Sequence, residues 1–183
     1  MKILLIQPNN TSTIGLNNVS IIEPTGLEAI GGSLLRDEHT VKIADLRAVD
    51  YDPDKYLEDK IKSFKPDAVG FSCSFTPDVY RTIELAKRVK NEFGIRYVFV
   101  GGHHVSVYPY DFNVKEIDAI VIGEGEYTVR DLVGAFSSNT PLSNVKGIIY
   151  NENGNQIKTL QKSHLKGHPL AVSKHASEVL MPR

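Results

Sequence analysis

Two short apolar runs, each ending in glycines and polar groups, constrain this chain more than any other feature. Tyr97-Val98-Phe99-Val100 leads into Gly101-Gly102-His103-His104, and Ala119-Ile120-Val121-Ile122 leads into Gly123-Glu124-Gly125-Glu126. Continuous apolar runs of this length read as strands covered on both faces. In an open parallel sheet, ligands sit outside the carboxyl ends of the strands, where glycine lets the backbone approach closely. The two runs therefore mark a ligand-binding edge.

The rest of the chain repeats the pattern. Strands are predicted at Lys2–Gln7, Val41–Asp45, Ala68–Cys73, Arg96–Gly101 and Ala119–Ile122. Helical spacing follows Pro24, Asp52-Pro53 and Pro77, and a fifth helix is predicted over Thr128–Phe136, with proline suited to the first helical turn. The segment around Tyr108-Pro109-Tyr110 and Val114–Ile117 predicts a shortened or distorted fourth helix. Five such units imply an α/β, flavodoxin-like (Rossmann-type) domain with a five-stranded parallel sheet in the order 2-1-3-4-5. Beyond it, Asn153-Gly154 between Gly147–Tyr150 and Gln156–Thr159 is a hairpin signal. The expected division is an α/β domain over 1–140, a β-hairpin extension over 141–160 and a polar tail over 161–183, disordered or non-native. The tail's His164, His168 and His175 have no compact ligand spacing and read as solvated.

Composition removes several function classes. The 183 residues are 41% hydrophobic and 23% charged, as in a globular domain with a real core. A formal charge of −1 gives no electrostatic reason to expect nucleic acid or an anionic membrane as partner. No apolar stretch approaches the roughly 20 residues a membrane span needs, and Met1–Pro8 lacks the features of a signal peptide. A cytoplasmic location is expected. Cys73 is the only cysteine, so neither an intramolecular disulfide nor a Cys-built iron–sulfur site can come from these residues. It reads as an inert buried thiol.

Four loops should meet at the carboxyl edge. They are the long polar stretch Pro8–Glu23, Ser72-Cys73-Ser74-Phe75-Thr76, Gly101–Ser106 and Gly123–Thr128. Each has a plain reading: Gly101-Gly102 as a tight turn, Gly123–Glu126 as a helix start with acids at the positive end of its dipole. Their convergence on one edge favours a site. No Gly-x-Gly-x-x-Gly follows the first strand and no Walker A sequence is present, which removes the usual nucleotide fingerprints. A phospho-acceptor receiver domain would need acidic residues where Gln7-Pro8-Asn9 stand, and an aspartate where Ser72-Cys73-Ser74 stand.

On these residues the chain resembles the cobalamin (B12)-binding N-terminal domain of B12-dependent radical SAM enzymes. That group includes methyltransferases and the anaerobic magnesium-protoporphyrin monomethyl ester cyclases. The resemblance is carried by Leu4-Leu5-Ile6-Gln7-Pro8, Pro24-Thr25-Gly26-Leu27, Val41-Lys42-Ile43-Ala44-Asp45, and above all Gly101-Gly102-His103-His104-Val105 with Asp118–Glu126. It covers roughly residues 1–150. It implies that the nucleotide tail of cobalamin threads past Gly101 and Gly102. Ser72 and Ser74 would offer hydroxyls, and Gly123, Glu124, Gly125 and Glu126 would line the far side. Asn9, Asn10, Thr11, Phe75 and Thr76 would lie near the corrin, with His103, His104 and Val105 as neighbours of the tail. No catalytic residue and no metal ligand is assigned.

Two departures refine what the resemblance implies. The Asp-x-His-x-x-Gly sequence that ligates cobalt in the wider B12 family is missing, and Gln7–Ser12 contains no histidine. Base-off cobalamin without a histidine ligand is therefore expected. The Cys-x-x-x-Cys-x-x-Cys sequence of radical SAM enzymes is missing too. S-adenosylmethionine and a [4Fe–4S] cluster would belong to another domain or to a partner subunit, and this chain would not run the radical step alone. Two other readings stay open: a flavodoxin-like binder of flavin or nucleotide, and a degenerate interaction domain that binds no cofactor.

Overall fold

A computed structural model describes residues 1–9, 23–152 and 155–161. Five parallel strands, β1 (Lys2–Gln7), β2 (Thr40–Asp45), β3 (Ala68–Ser72), β4 (Tyr97–Gly101) and β5 (Ala119–Val121), alternate with helices. The helices are α1 (Thr25–Leu35), α2 (Pro53–Phe64), α3 (Val79–Asn91), α4 (His103–Val107) and α5 (Gly125–Ser138). Two antiparallel strands follow, β6 (Ile148–Glu152) and β7 (Asn155–Lys158), and the sheet order is β2-β1-β3-β4-β5-β6-β7. The five parallel strands thus stand in the order 2-1-3-4-5.

The hairpin continues the same sheet. β6 pairs antiparallel with β5, Val121 opposite Ile148, so all seven strands form one sheet. β5 has only three residues, and an open edge there would leave backbone donors and acceptors unpaired. The buried Ile148 and Ile149 of β6 close it.

Alternation along the strands sorts the core into two layers. Leu4, Ile6, Val69, Phe71, Val98 and Val100 pack with Leu57, Ile61, Leu85 and Val89 of α2 and α3. Ile3, Leu5, Ala68, Phe99 and Val121 pack with Leu27 and Leu34 of α1 and with Val129, Leu132 and Val133 of α5. Coverage on both faces explains why the strands read as unbroken apolar runs. Each fully buried leucine contributes about 2 kcal/mol of apolar burial.

Local signals fix the helix ends. Asp52 caps α2, its side chain accepting from the Asp54 N–H at 2.9 Å, with Pro53 in the first turn. Lys65 in the left-handed region ends α2, and Asn139 in the same region ends α5. α5 begins at Gly125 rather than Thr128, so Glu126 lies in its first turn near the positive end of the dipole. The fourth helix is short as expected, five residues followed by a 3-10 turn over Pro109–Phe112. Among the described residues, no helix is long and apolar enough to cross a membrane.

Candidate functional site

A cleft of about 470 Å³ opens at the carboxyl edge of the sheet on the face covered by α1 and α5. Its floor follows the strand register. Leu5 stands beside Gly70, and Gly70 beside Phe99. The next row toward the edge holds Ser72 and Gly101, which are also paired. Gly26, Leu27 and Ile30 of α1 form one wall, and Gly125, Glu126 and Val129 of α5 form the other. Ser74, Gly102, His103, Ser106, Gly123 and Glu124 surround the mouth.

Two glycines have specific structural causes. Gly102 sits at φ +122°, and a Cβ there would stand 2.5 Å from the carbonyl oxygen of Cys73. The chain leaving β4 therefore passes against the backbone leaving β3, and no side chain fits between them. Gly70 is the second case: a Cβ on it would lie 2.3 Å from Cζ of Phe99. The tip of that aromatic ring occupies the space above the strand, and glycine in the middle of β3 is what admits it.

Hydrogen bonds hold the mouth in shape. The Ser106 hydroxyl donates to the Gly102 carbonyl at 3.0 Å and accepts from the Gly123 N–H at 2.9 Å. One side chain thus links the loops after β4 and β5. The Cys73 N–H donates to the Gly101 carbonyl at 2.8 Å, extending the pairing of β3 and β4.

Of the residues expected at the site, Ser72, Ser74, Gly101, Gly102, His103, Gly123, Glu124, Gly125 and Glu126 line this cleft. The other described ones stand elsewhere. His104 is buried, with Nδ1 3.2 Å from Thr76 Oγ1 and Nε2 2.9 Å from Asp111 Oδ2, and its ring lies against Tyr108 and Phe112. Val105 is buried in the α2–α3 layer. Phe75 is exposed beside the 3-10 turn Thr76–Asp78 that precedes α3. The Asn9 side chain accepts from Nε of the buried Arg81 at 3.1 Å, and Arg81 also pairs with Asp54 and Glu84. Asn10 and Thr11 lie outside the described residues, as do His164, His168 and His175.

Sequence reasoning missed the inner half of the cleft. Leu5, Gly70, Phe99 and Val121 read as ordinary core because they sit inside apolar strands. The usable signal was Gly70, an isolated glycine in such a strand, which points to a close approach. Ser106 falls in the expected loop Gly101–Ser106 but carried no assigned role, because a serine one turn into a helix has no distinguishing pattern.

Two nearby ionisable groups, Cys73 and Asp78, are buried. Burial pushes the Cys73 thiol up to about 12, and its sulfur lies 3.6 Å from the Phe75 carbonyl. Burial also raises the Asp78 carboxyl, with Arg47 and His104 opposing. Among the described residues no group of histidines, cysteines and acids is placed to hold a metal. A larger groove of about 570 Å³ lies between Tyr97, Phe136 and Pro141 at the amino end of the parallel strands. Ligands of open α/β sheets bind at the other end, so the smaller cleft is the candidate.

The model of the B12 binding domain matches residues 11–133. The chain is 38% identical over 157 residues to the uncharacterized methyltransferase PH0819 of Pyrococcus horikoshii, covering 84% of this chain and 33% of that protein. It is 31% identical over 169 residues to the anaerobic magnesium-protoporphyrin IX monomethyl ester cyclase of Synechocystis, covering 87% and 32%. The chain therefore spans about a third of the length of these relatives. The radical S-adenosylmethionine methyltransferase TsrM of Kitasatospora setae, solved with cobalamin and a [4Fe–4S] cluster, shares the fold. Its TM-score is 0.74 at 21% identity, over 92% of this chain and 31% of that one.

Proposed function

The chain belongs to the B12 binding domain family, and from that premise we propose that it binds cobalamin with the nucleotide tail in the cleft between α1 and α5. The observation that carries this is the cleft itself. It runs inward from the glycine-lined mouth to the Leu5–Gly70–Phe99 row, and its 470 Å³ is ample for a ribose and an aromatic base. Gly101 faces this space, and a Cβ there would stand 3.4 Å from Val121, narrowing the passage. The hydroxyls of Ser72, Ser74 and Ser106 and the carboxylates of Glu124 and Glu126 would meet the ribose and amide groups at the mouth.

The corrin would then rest over the carboxyl edge without a histidine on cobalt. Residues 7–23 contain no histidine, and both ring nitrogens of His104 are engaged by Thr76 and Asp111. Bound cobalamin supplies methyl-transfer or one-electron chemistry at cobalt; the protein orients it and excludes water. We assign the domain to a radical S-adenosylmethionine methyl-transfer or cyclase-type reaction. The naming of the relatives as methyltransferase and cyclase supports this, as does their threefold greater length. With one cysteine in these 183 residues, the iron–sulfur cluster is supplied by another domain or subunit.

The test is the absorption spectrum after incubation with hydroxocobalamin and desalting. Retained corrin with a base-off spectrum is expected. A base-on spectrum would contradict the coordination proposed here. Loss of all corrin from protein shown folded by circular dichroism would contradict the binding proposal itself.

A further inference from the structure

We propose that the cleft discriminates among corrinoids by the base that ends the nucleotide tail, accepting an apolar benzimidazole-type base and rejecting a purine. This rests on the reading that the cleft holds the tail.

The lining changes character with depth. The polar side chains, Ser72, Ser74, His103, Ser106, Glu124 and Glu126, all stand at the strand ends or beyond them. Two residues further in, about 7 Å along the strands, the row Leu5–Gly70–Phe99 forms the floor. Leu27 and Ile30 of α1 and Val129 of α5 flank that inner part. None of these side chains carries a polar atom. The strand N–H and C=O groups of the row are engaged in the β1–β3–β4 ladder. The inner cleft therefore offers a buried base no hydrogen-bond partner.

That environment distinguishes bases by their edges. Dimethylbenzimidazole presents C–H groups and methyls along most of its perimeter. Adenine presents an exocyclic amine and several ring nitrogens, each of which would lose water and gain nothing. One buried, unpartnered polar group is enough to weaken binding about tenfold. The Phe99 ring sets the depth limit, because its tip already fills the volume above Gly70. Phe99 and Gly70 are thus positioning residues for the base.

The experiment titrates the 183-residue chain with three corrinoids and reads quenching of its tyrosine fluorescence, there being eight tyrosines and no tryptophan. The three are cobalamin, its adenine-containing counterpart, and cobinamide, which lacks the tail. Cobalamin is expected to bind about tenfold or more tightly than the adenine form. In Gly70→Ala the new methyl displaces the Phe99 ring into the adjoining cleft. Cobalamin should then weaken about tenfold while cobinamide is unchanged. Equal binding of the two complete corrinoids would overturn the selectivity and leave the binding proposal standing. Cobalamin binding no tighter than cobinamide, or no binding of any corrinoid, would overturn both. If Gly70→Ala does not fold, the comparison on the unaltered chain decides the matter alone.

Discussion

The buried ring of His104 places its Nε2 2.9 Å from Asp111 Oδ2. With Nδ1 3.2 Å from Thr76 Oγ1, the same ring ties α4 to the 3-10 turns Thr76–Asp78 and Pro109–Phe112. It faces away from the cleft that His103 lines. His104→Ala removes both hydrogen bonds and the contacts with Tyr108 and Phe112, and should cost about 2 kcal/mol. Urea denaturation checks this. The spectrum of bound corrin should stay base-off in the variant, as a cobalt ligand would not allow.

Gly102→Ala brings a methyl to 2.5 Å from the Cys73 carbonyl oxygen, at a backbone φ of +122°. Strain and overlap act together, and the Cys73 backbone just after β3 has no rotamer with which to yield. A loss of about 3 kcal/mol or more is expected in chemical denaturation. Gly26→Ala, with no atom within 4 Å of its added methyl, is the control and should change stability little.

Asp78 is buried at the start of α3, and burial raises its carboxyl above the usual 3.8. A carboxyl raised in the folded state holds its proton more readily there than in the unfolded chain. Its ionisation therefore costs stability as pH rises from the unfolded value through the folded one. Asp78→Asn should be the more stable protein at pH 7, with the advantage gone below about pH 3.8, where both states are protonated. Thermal melts at the two pH values read the sign directly.

Cys73 is fully buried and its thiol is pushed up to about 12. At pH 8 the thiolate fraction is then about one in ten thousand. The folded protein should react with a chromogenic disulfide reagent only at the rate of its opening, and at once in urea. Fast reaction in the folded state would place the sulfur in contact with solvent.

Much of this fold was legible because strands covered on both faces are unbroken apolar runs. Lys2–Gln7 was placed to the residue and the other parallel strands to within one. The parallel order 2-1-3-4-5 followed from five right-handed β-α units. Pairing of the hairpin with β5 was not legible, since Ile148 and Ile149 look the same in a free hairpin and in a shared sheet. Apolar periodicity alone began the fifth helix at Thr128, because Gly125 and Glu126 carry no apolar period; its true start matches the plain reading of Gly123–Glu126 as a helix entry. At the site, the mouth was readable from glycines and hydroxyls outside the strands. The inner cleft was not: whether Leu5 or Phe99 lines a cavity or fills a core depends on how far α1 and α5 stand from the sheet, which is a tertiary quantity. His104 shows the converse, a polar side chain beside the glycines that packing turns to the other face.

A crystal structure of the cobalamin-loaded protein would show whether the α1–α5 cleft receives the nucleotide tail. The benzimidazole ring is expected against Leu5, Phe99 and Val129, with cobalt free of protein nitrogen. A benzimidazole still coordinated to cobalt, or a corrin seated away from the Gly101–Gly102 edge, would contradict it.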